Sequence, residues 1–210
     1  MKNELRLILF SVVLAIVCSL LLVGAEQLFM PFRDANERAE EVKNFLSALE
    51  VPLDENADSD ELVDIFNNNI EIRTAGEIQL FAYIPQDSVG KQPVAFATVF
   101  SGPGLWGPIQ GVLALESDLI TIRGIRFYKQ EETPGLGGEI GAEWFQQQFI
   151  QKKIVSQSGE PGFEIVKPGS ATTDNQVDGI TGATMTSDRV HEMIDKLAKE
   201  ISKERESYVK

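Results

Sequence analysis

The sequence predicts an α+β protein: a twisted antiparallel sheet with flanking helices, preceded by one N-terminal transmembrane helix. Three observations carry that prediction. Residues 7–25 contain no charged side chain. From Ile78 onward the apolar residues fall into short runs of strand length, separated by turn residues. After Ser187 the spacing returns to three and four, through Val190, Met193, Ile194, Leu197, Ala198 and Ile201, which is one face of a helix.

The apolar run comes first. At about 1.5 Å per residue it spans most of a hydrocarbon core ~30 Å thick. A cleaved signal peptide with Val23-Gly24-Ala25 as its small-residue site is the competing reading, but the run is longer than the usual ~7–15 residues of a signal core. Val17 precedes Cys18, so no lipobox is evident. An uncleaved anchor is therefore expected, with Cys18 as a membrane-packing residue. Lys2 and Arg6 flank it on one side, and Arg33, Arg38 and Lys43 on the other. The short N-terminal tail is expected to stay inside, and the large domain to lie outside.

Residues 34–50 read as an acidic amphipathic helix, with Ala35, Ala39, Val42, Phe45, Leu46 and Leu49 on one face, broken by Pro52. Asp58 and Glu61 resemble a capping box opening a second short helix that carries Leu62, Val63, Phe66 and Ile70 and ends at Asn67-Asn68-Asn69. Four strands are expected next, at 78–84, 94–100, 109–115 and 120–128, around a turn-rich loop from Pro85 to Pro93. Their short connections imply antiparallel pairing. A helix is expected over 139–150, with Ile140, Trp144, Phe145 and Phe149 on one side, and a last strand over 163–166. The expected division is an anchor over 1–30, an acidic helical connector over 31–75, and a folded domain over 76–210.

Charge and composition exclude some functions. The net charge of −13 argues against nucleic acid as a partner, because phosphate backbones require clustered Lys and Arg. A single cysteine allows neither an intrachain disulfide nor a cysteine-held iron–sulfur or zinc cluster. The lone His191 sits among apolar helix positions with no partner in the sequence, and reads as a partly exposed helix residue rather than a metal ligand. Gly102-Pro-Gly-Leu-Trp-Gly107 follows an expected strand but leads into another strand rather than opening a helix, so the chain is not expected to bind a dinucleotide.

One stretch concentrates chemistry: Asp178-Gly-Ile-Thr-Gly-Ala-Thr-Met-Thr-Ser187. Its hydroxyls stand at the start of the C-terminal helix, where unpaired N–H groups and the positive end of the helix dipole favour a phosphate. The ordinary alternative is a turn with Thr186, Ser187 or Asp188 as the N-cap. Two Gly/Pro-rich loops accompany it, 101–108 and 131–139. Each is ordinary turn chemistry when taken alone. A flat ring would give them a use, since glycine lets the backbone approach a ligand closely.

Asp178-x-x-Thr181-Gly182-Ala183-Thr184 resembles the covalent flavinylation motif of the FMN-binding domain family, which includes flavin subunits of the Na+-translocating NADH:quinone reductase and of the Rnf complex. Gly104-Leu-Trp-Gly, Gly124-Ile-Arg-Phe-Tyr and Glu132-Thr-Pro-Gly-Leu-Gly-Gly-Glu-Ile140 extend the resemblance over roughly residues 94–200. Trp106 and Phe127-Tyr128 look more like the quinone reductase's C subunit than its Rnf counterpart, while the segment between anchor and core is shorter than expected of that subunit.

The resemblance implies that a flavin transferase joins FMN through its phosphate to the hydroxyl of Thr184. It implies binding positions at Asp178, Thr181, Gly182, Ala183 and Thr186. Trp106, Glu132, Thr133, Leu136 and Gly137 are expected against the ring. It further implies a single-pass protein of a bacterial inner membrane with its domain on the periplasmic side. There it would relay electrons among other membrane subunits of a multisubunit oxidoreductase, while another subunit binds NADH. A tethered, non-redox binding module and a free-standing flavin reductase domain are the competing classes.

Overall fold

The computed structural model describes residues 2–54, 57–76, 78–86, 90 and 92–209. The first element is one α-helix, α1 (Lys2–Ala48), so the anchor and the acidic helix expected after it are continuous. The chain divides inside α1 into two compact units, Met1–Glu40 and Glu41–Lys210. In the first unit, Asn3–Met30 contains a strongly apolar stretch of helix, none of it buried. It is long and apolar enough to cross a membrane. Cys18, on this segment, is a free thiol. The side chain of Ala35 lies outside the described residues.

The second unit is built on a five-stranded antiparallel sheet with strand order β1-β2-β3-β4-β5. The strands are β1 (Ile70–Ala75), β2 (Ile78–Tyr83), β3 (Ala95–Pro103), β4 (Pro108–Glu116) and β5 (Ile122–Lys129). Every pair is a sequence neighbour, as short connections require. Part of the Pro85–Pro93 loop lies outside the described residues.

β1 departs from the expected helical connector. Asn69 ends α2 (Ser59–Asn69), and the chain turns straight into a strand that pairs with all of β2. With only Ile70 and Ile72 alternating, and Ile72 exposed on the edge strand, the run is too short and too polar to stand out by period. The start of α2 is as expected: the Asp58 side chain accepts the Glu61 N–H at 2.9 Å.

The sheet is buried on both faces, which explains why β3 and β4 are almost continuously apolar. One face takes large side chains. Phe96, Phe100, Ile109, Leu113, Leu115, Ile125 and Phe127 pack there with the C-terminal helix α4 (Thr184–Val209) and with α3 (Glu143–Gln147). The other takes small ones. Ala95, Ala97, Val112 and Ala114 leave room for Phe45, Ala48 and Leu49 from the end of α1 and for Phe66 from α2.

The helix expected over 139–150 is instead a 3-10 turn (Gly137–Gly141) followed by α3, only five residues long. Ile140, Phe145 and Phe149 are buried, but Trp144 is 49% exposed, its indole N–H donating to Glu139 Oε2 at 3.1 Å. The apolar spacing is that of a helix, yet the two short helical pieces meet at Ala142, whose backbone is extended, so Trp144 leaves the shared face. A row of phenylalanines runs through this core from Phe100 to Phe127, Phe145, Phe149 and Phe163, with ring centroids 5.3–6.2 Å apart. Phe149 is fully buried, stacked on Phe163. Phe149→Ala is expected to cost about 3–5 kcal/mol, read from chemical denaturation of the folded unit.

Beyond α3, β6 (Glu164–Val166) pairs in parallel with β7 (Gln176–Asp178), a strand too short to register in the sequence. His191 of α4 fastens β6: its Nδ1 accepts the Ile165 N–H at 3.0 Å. The turn before β5 is held by Asp118, whose carboxylate accepts the N–H groups of Ile120 and Thr121 and the Thr121 hydroxyl. Burial works to raise the pKa of this acid, but those donors and the Arg205 charge outweigh it and hold it below the usual carboxylate value.

Candidate functional site

Three turns converge on one cleft. The first is the β3–β4 hairpin, tightened by the Gly104 N–H donating to Gly107 O at 2.8 Å, with Leu105 and Trp106 at its tip. The second follows β5, where the N–H groups of Leu136 and Gly138 both donate to Thr133 O. The third leads into α4. There Gly182, with φ +80°, makes a bend that an L side chain resists, and the helix begins two residues later.

The cleft is lined by Leu105, Trp106, Glu132, Thr133, Leu136, Gly137, Gly182, Ala183, Thr184, Met185 and Thr186. Nine of the positions singled out in the sequence therefore meet here. Asp178 and Thr181 do not line it. Asp178 Oδ1 accepts the N–H groups of Ser170 and Ala171, at 2.8 and 3.0 Å, and its own backbone N–H and C=O are both bonded by the Gln148 side chain. Leu105 and Met185 went unnoticed in the sequence. Met185 carried one faint signal, an apolar residue beside Thr184 outside the apolar stripe of α4.

The hydroxyls of the motif divide by burial. Thr186 is 2% exposed and Ser187 5% exposed. Ser187 Oγ accepts the Ile180 N–H at 3.1 Å, and the Thr186 hydroxyl donates to Glu132 Oε2 at 2.6 Å. Both are consumed inside the protein, and neither is the N-cap that the sequence suggested, since α4 already begins at Thr184. Thr184 and Thr181 are exposed, and only Thr184 of these two faces the cleft. Thr184 also borders a second cleft, lined in part by Lys167, Ser170 and Asp188, so the residue is shared by two hollows.

Glu132 is the fastener of the site. It is 5% exposed. One carboxylate oxygen accepts the N–H groups of Leu105 and Trp106, at 2.7 and 3.1 Å, and the other accepts Thr186. A single side chain thus joins all three turns. Two glycines make room for it. A Cβ on Gly104 would lie 2.5 Å from Glu132 Oε1, and one on Gly137 would lie 2.5 Å from Thr186 Oγ1 and 2.7 Å from Glu132 Oε2.

The arrangement suits a flat, apolar-faced ring joined to a phosphate. Trp106 (69% exposed), Leu105, Leu136 and Met185 offer apolar surface that the fold leaves uncovered. The first turn of α4 offers unpaired N–H groups to an anion beside Thr184. Among the described residues no group of three or more His, Cys, Asp or Glu could hold a metal ion.

Residues 104–199 match the FMN-binding domain family, a span that holds all three turns. The chain is 30% identical to the C subunit of the Na(+)-translocating NADH-quinone reductase of Haemophilus ducreyi over 84% of its own length and 82% of that protein. Against the corresponding C subunit of Pasteurella multocida the identity is 29%, over 88% and 85% of the two chains. The crystal structure of the same reductase's C subunit from Parabacteroides distasonis superposes with a TM-score of 0.68 at 31% identity, covering 82% of this chain and 94% of that one. Converging turns, a matching domain and relatives matched over most of their length agree: the chain belongs to the family of C subunits of the Na(+)-translocating NADH-quinone reductases.

Proposed function

We propose that this chain is the membrane-anchored flavoprotein subunit of a Na+-translocating NADH:quinone oxidoreductase, carrying FMN through a phosphoester to Thr184. The observation that carries the reading is that Thr184 is the one hydroxyl-bearing residue of the motif that is both exposed and part of the cleft lining. The FMN supplies the redox chemistry when bound. The protein's part is to hold it: the first turn of α4 stabilises the phosphate charge, Trp106, Leu105 and Leu136 cover the ring, and Glu132 keeps the walls in register. Covalent attachment removes dissociation, so the flavin works as a fixed relay between partner centres on other membrane subunits. NADH is bound elsewhere in the complex, and the domain lies on the periplasmic side of a bacterial inner membrane.

The test is co-expression with a flavin transferase, then intact-protein and peptide mass spectrometry. One FMN phosphoester is expected, on the peptide containing Thr184. Co-purification with multispanning membrane subunits separates this reading from a free-standing flavin reductase, and a colourless protein of unmodified mass would leave a non-redox binding module.

We further propose that residues 1–30 serve as the anchor and 31–75 as the stretch joining it to the flavin domain over 76–210, with the end of α1, α2 and β1 in that stretch completing the domain's fold. Deleting 1–30 is expected to give a water-soluble, flavinylatable protein, because the buried Phe45, Leu46 and Leu49 all remain. Deleting 1–50 removes those three, each contributing about 1.5–3 kcal/mol of burial, and is expected to unfold it. Size exclusion and circular dichroism on both fragments distinguish the outcomes. A soluble, well-folded 51–210 fragment would show that the end of α1 is dispensable.

A further inference from the structure

We infer that Glu132 is a potential-setting residue: its buried carboxylate places fixed negative charge at the floor of the cleft and lowers the reduction potential of the flavin. The inference rests on the reading above, in which the cleft holds the ring.

Its basis is the charge inventory of the cleft. Of the residues that line it, Glu132 alone is charged, and no Lys or Arg is among them. Its protein partners are two backbone N–H groups and one hydroxyl, all donors, which suits an acceptor-only carboxylate. These neutral dipoles orient the group without cancelling its charge. At 5% exposure that charge is poorly screened by water and salt. Glu131, the neighbouring acid, is exposed to solvent and contributes far less. Adding an electron to a ring beside a fixed anion is disfavoured by Coulomb repulsion, so the bound flavin is a stronger reductant than it would be over a neutral floor.

A purely structural fastener needs no charge. Gln can hold the same place: its amide oxygen accepts the Leu105 and Trp106 N–H groups, and the Thr186 hydroxyl rotates to accept from the amide N–H. Glu132→Gln therefore removes the charge and keeps the number of hydrogen bonds. The variant and the wild type are compared as the full chain in detergent, loaded by co-expression with a flavin transferase, with flavin stoichiometry, melting temperature and midpoint potential read on each sample. The expected result is an upward shift of the midpoint potential in the E132Q molecules that carry flavin. An unchanged or lowered potential on loaded E132Q overturns the inference and leaves the functional reading intact. A second measurement needs no variant: the flavin of the wild type is expected to have a lower midpoint potential than free FMN at the same pH, and a value at or above that of free FMN overturns the inference even if E132Q does not load. A wild type that acquires no flavin overturns the functional reading, and this inference with it.

Discussion

Replacing Thr184 with valine is expected to abolish covalent flavin completely. The change removes the hydroxyl and keeps the volume, and Thr184 is exposed at the start of α4, so the fold has little reason to respond. Thr184→Ser, which restores a hydroxyl at the same backbone position, is expected to retain attachment. Thr181→Val should load normally, because Thr181 lies outside the cleft lining. Thr186→Val behaves differently again. It strips a donor from a buried carboxylate and is expected to lower stability by about 1–3 kcal/mol, while the molecules that fold keep the Thr184 hydroxyl. Intact mass and in-gel flavin fluorescence after denaturation read all four variants on one scale. A full FMN mass on Thr184→Val would overturn the attachment site.

Much of this site was legible because its chemistry is local. The hydroxyl-rich turn before an apolar helix stripe, and the glycine-rich turns at 104–107 and 133–138, are written in consecutive residues. Burial of individual hydroxyls is not. Nothing in Thr184-Met-Thr186-Ser187 shows that the later two are consumed, Thr186 by the distant Glu132 and Ser187 by the Ile180 N–H of the same motif. The same limit explains the helix start: a Thr or Ser near the first turn reads as a cap until a tertiary partner claims its oxygen. In the fold, the apolar strands β2 to β5 announced themselves by composition, whereas β1, as long as β2 but more polar, and the short β7 exist because neighbours pair with them. Trp144 failed as a core prediction because helical spacing assumes one unbroken helix, and the chain breaks it at Ala142.

At Gly137 the structure adds a constraint that consecutive residues do not show. The sequence suggested that glycine there lets backbone approach the ring. In the structure the space for its Cβ is taken by Thr186 Oγ1 and Glu132 Oε2, which are bonded to each other and are not free to swing away. Gly137→Ala is therefore expected to cost about 1–3 kcal/mol for overpacking, and more if the buried hydrogen bond breaks with it. Two neighbouring glycines calibrate the result. Gly141 has open space around its Cβ position and no positive φ, so Gly141→Ala should fall within about 0.5 kcal/mol of wild type. Gly135 also has open space but sits at φ +75°, so Gly135→Ala should cost roughly 1–2 kcal/mol from backbone strain alone. Denaturation midpoints rank the three. The flavin supplies the second readout: in Gly137→Ala the Glu132 tie between the hairpin and α4 is disturbed, so the absorption spectrum of the loaded protein should change. In Gly135→Ala, where nothing in the cleft is displaced, it should not. A Gly137→Ala protein as stable as Gly141→Ala, with an unaltered spectrum, would mean that the Glu132–Thr186 pair yields easily and does not hold the walls of the site.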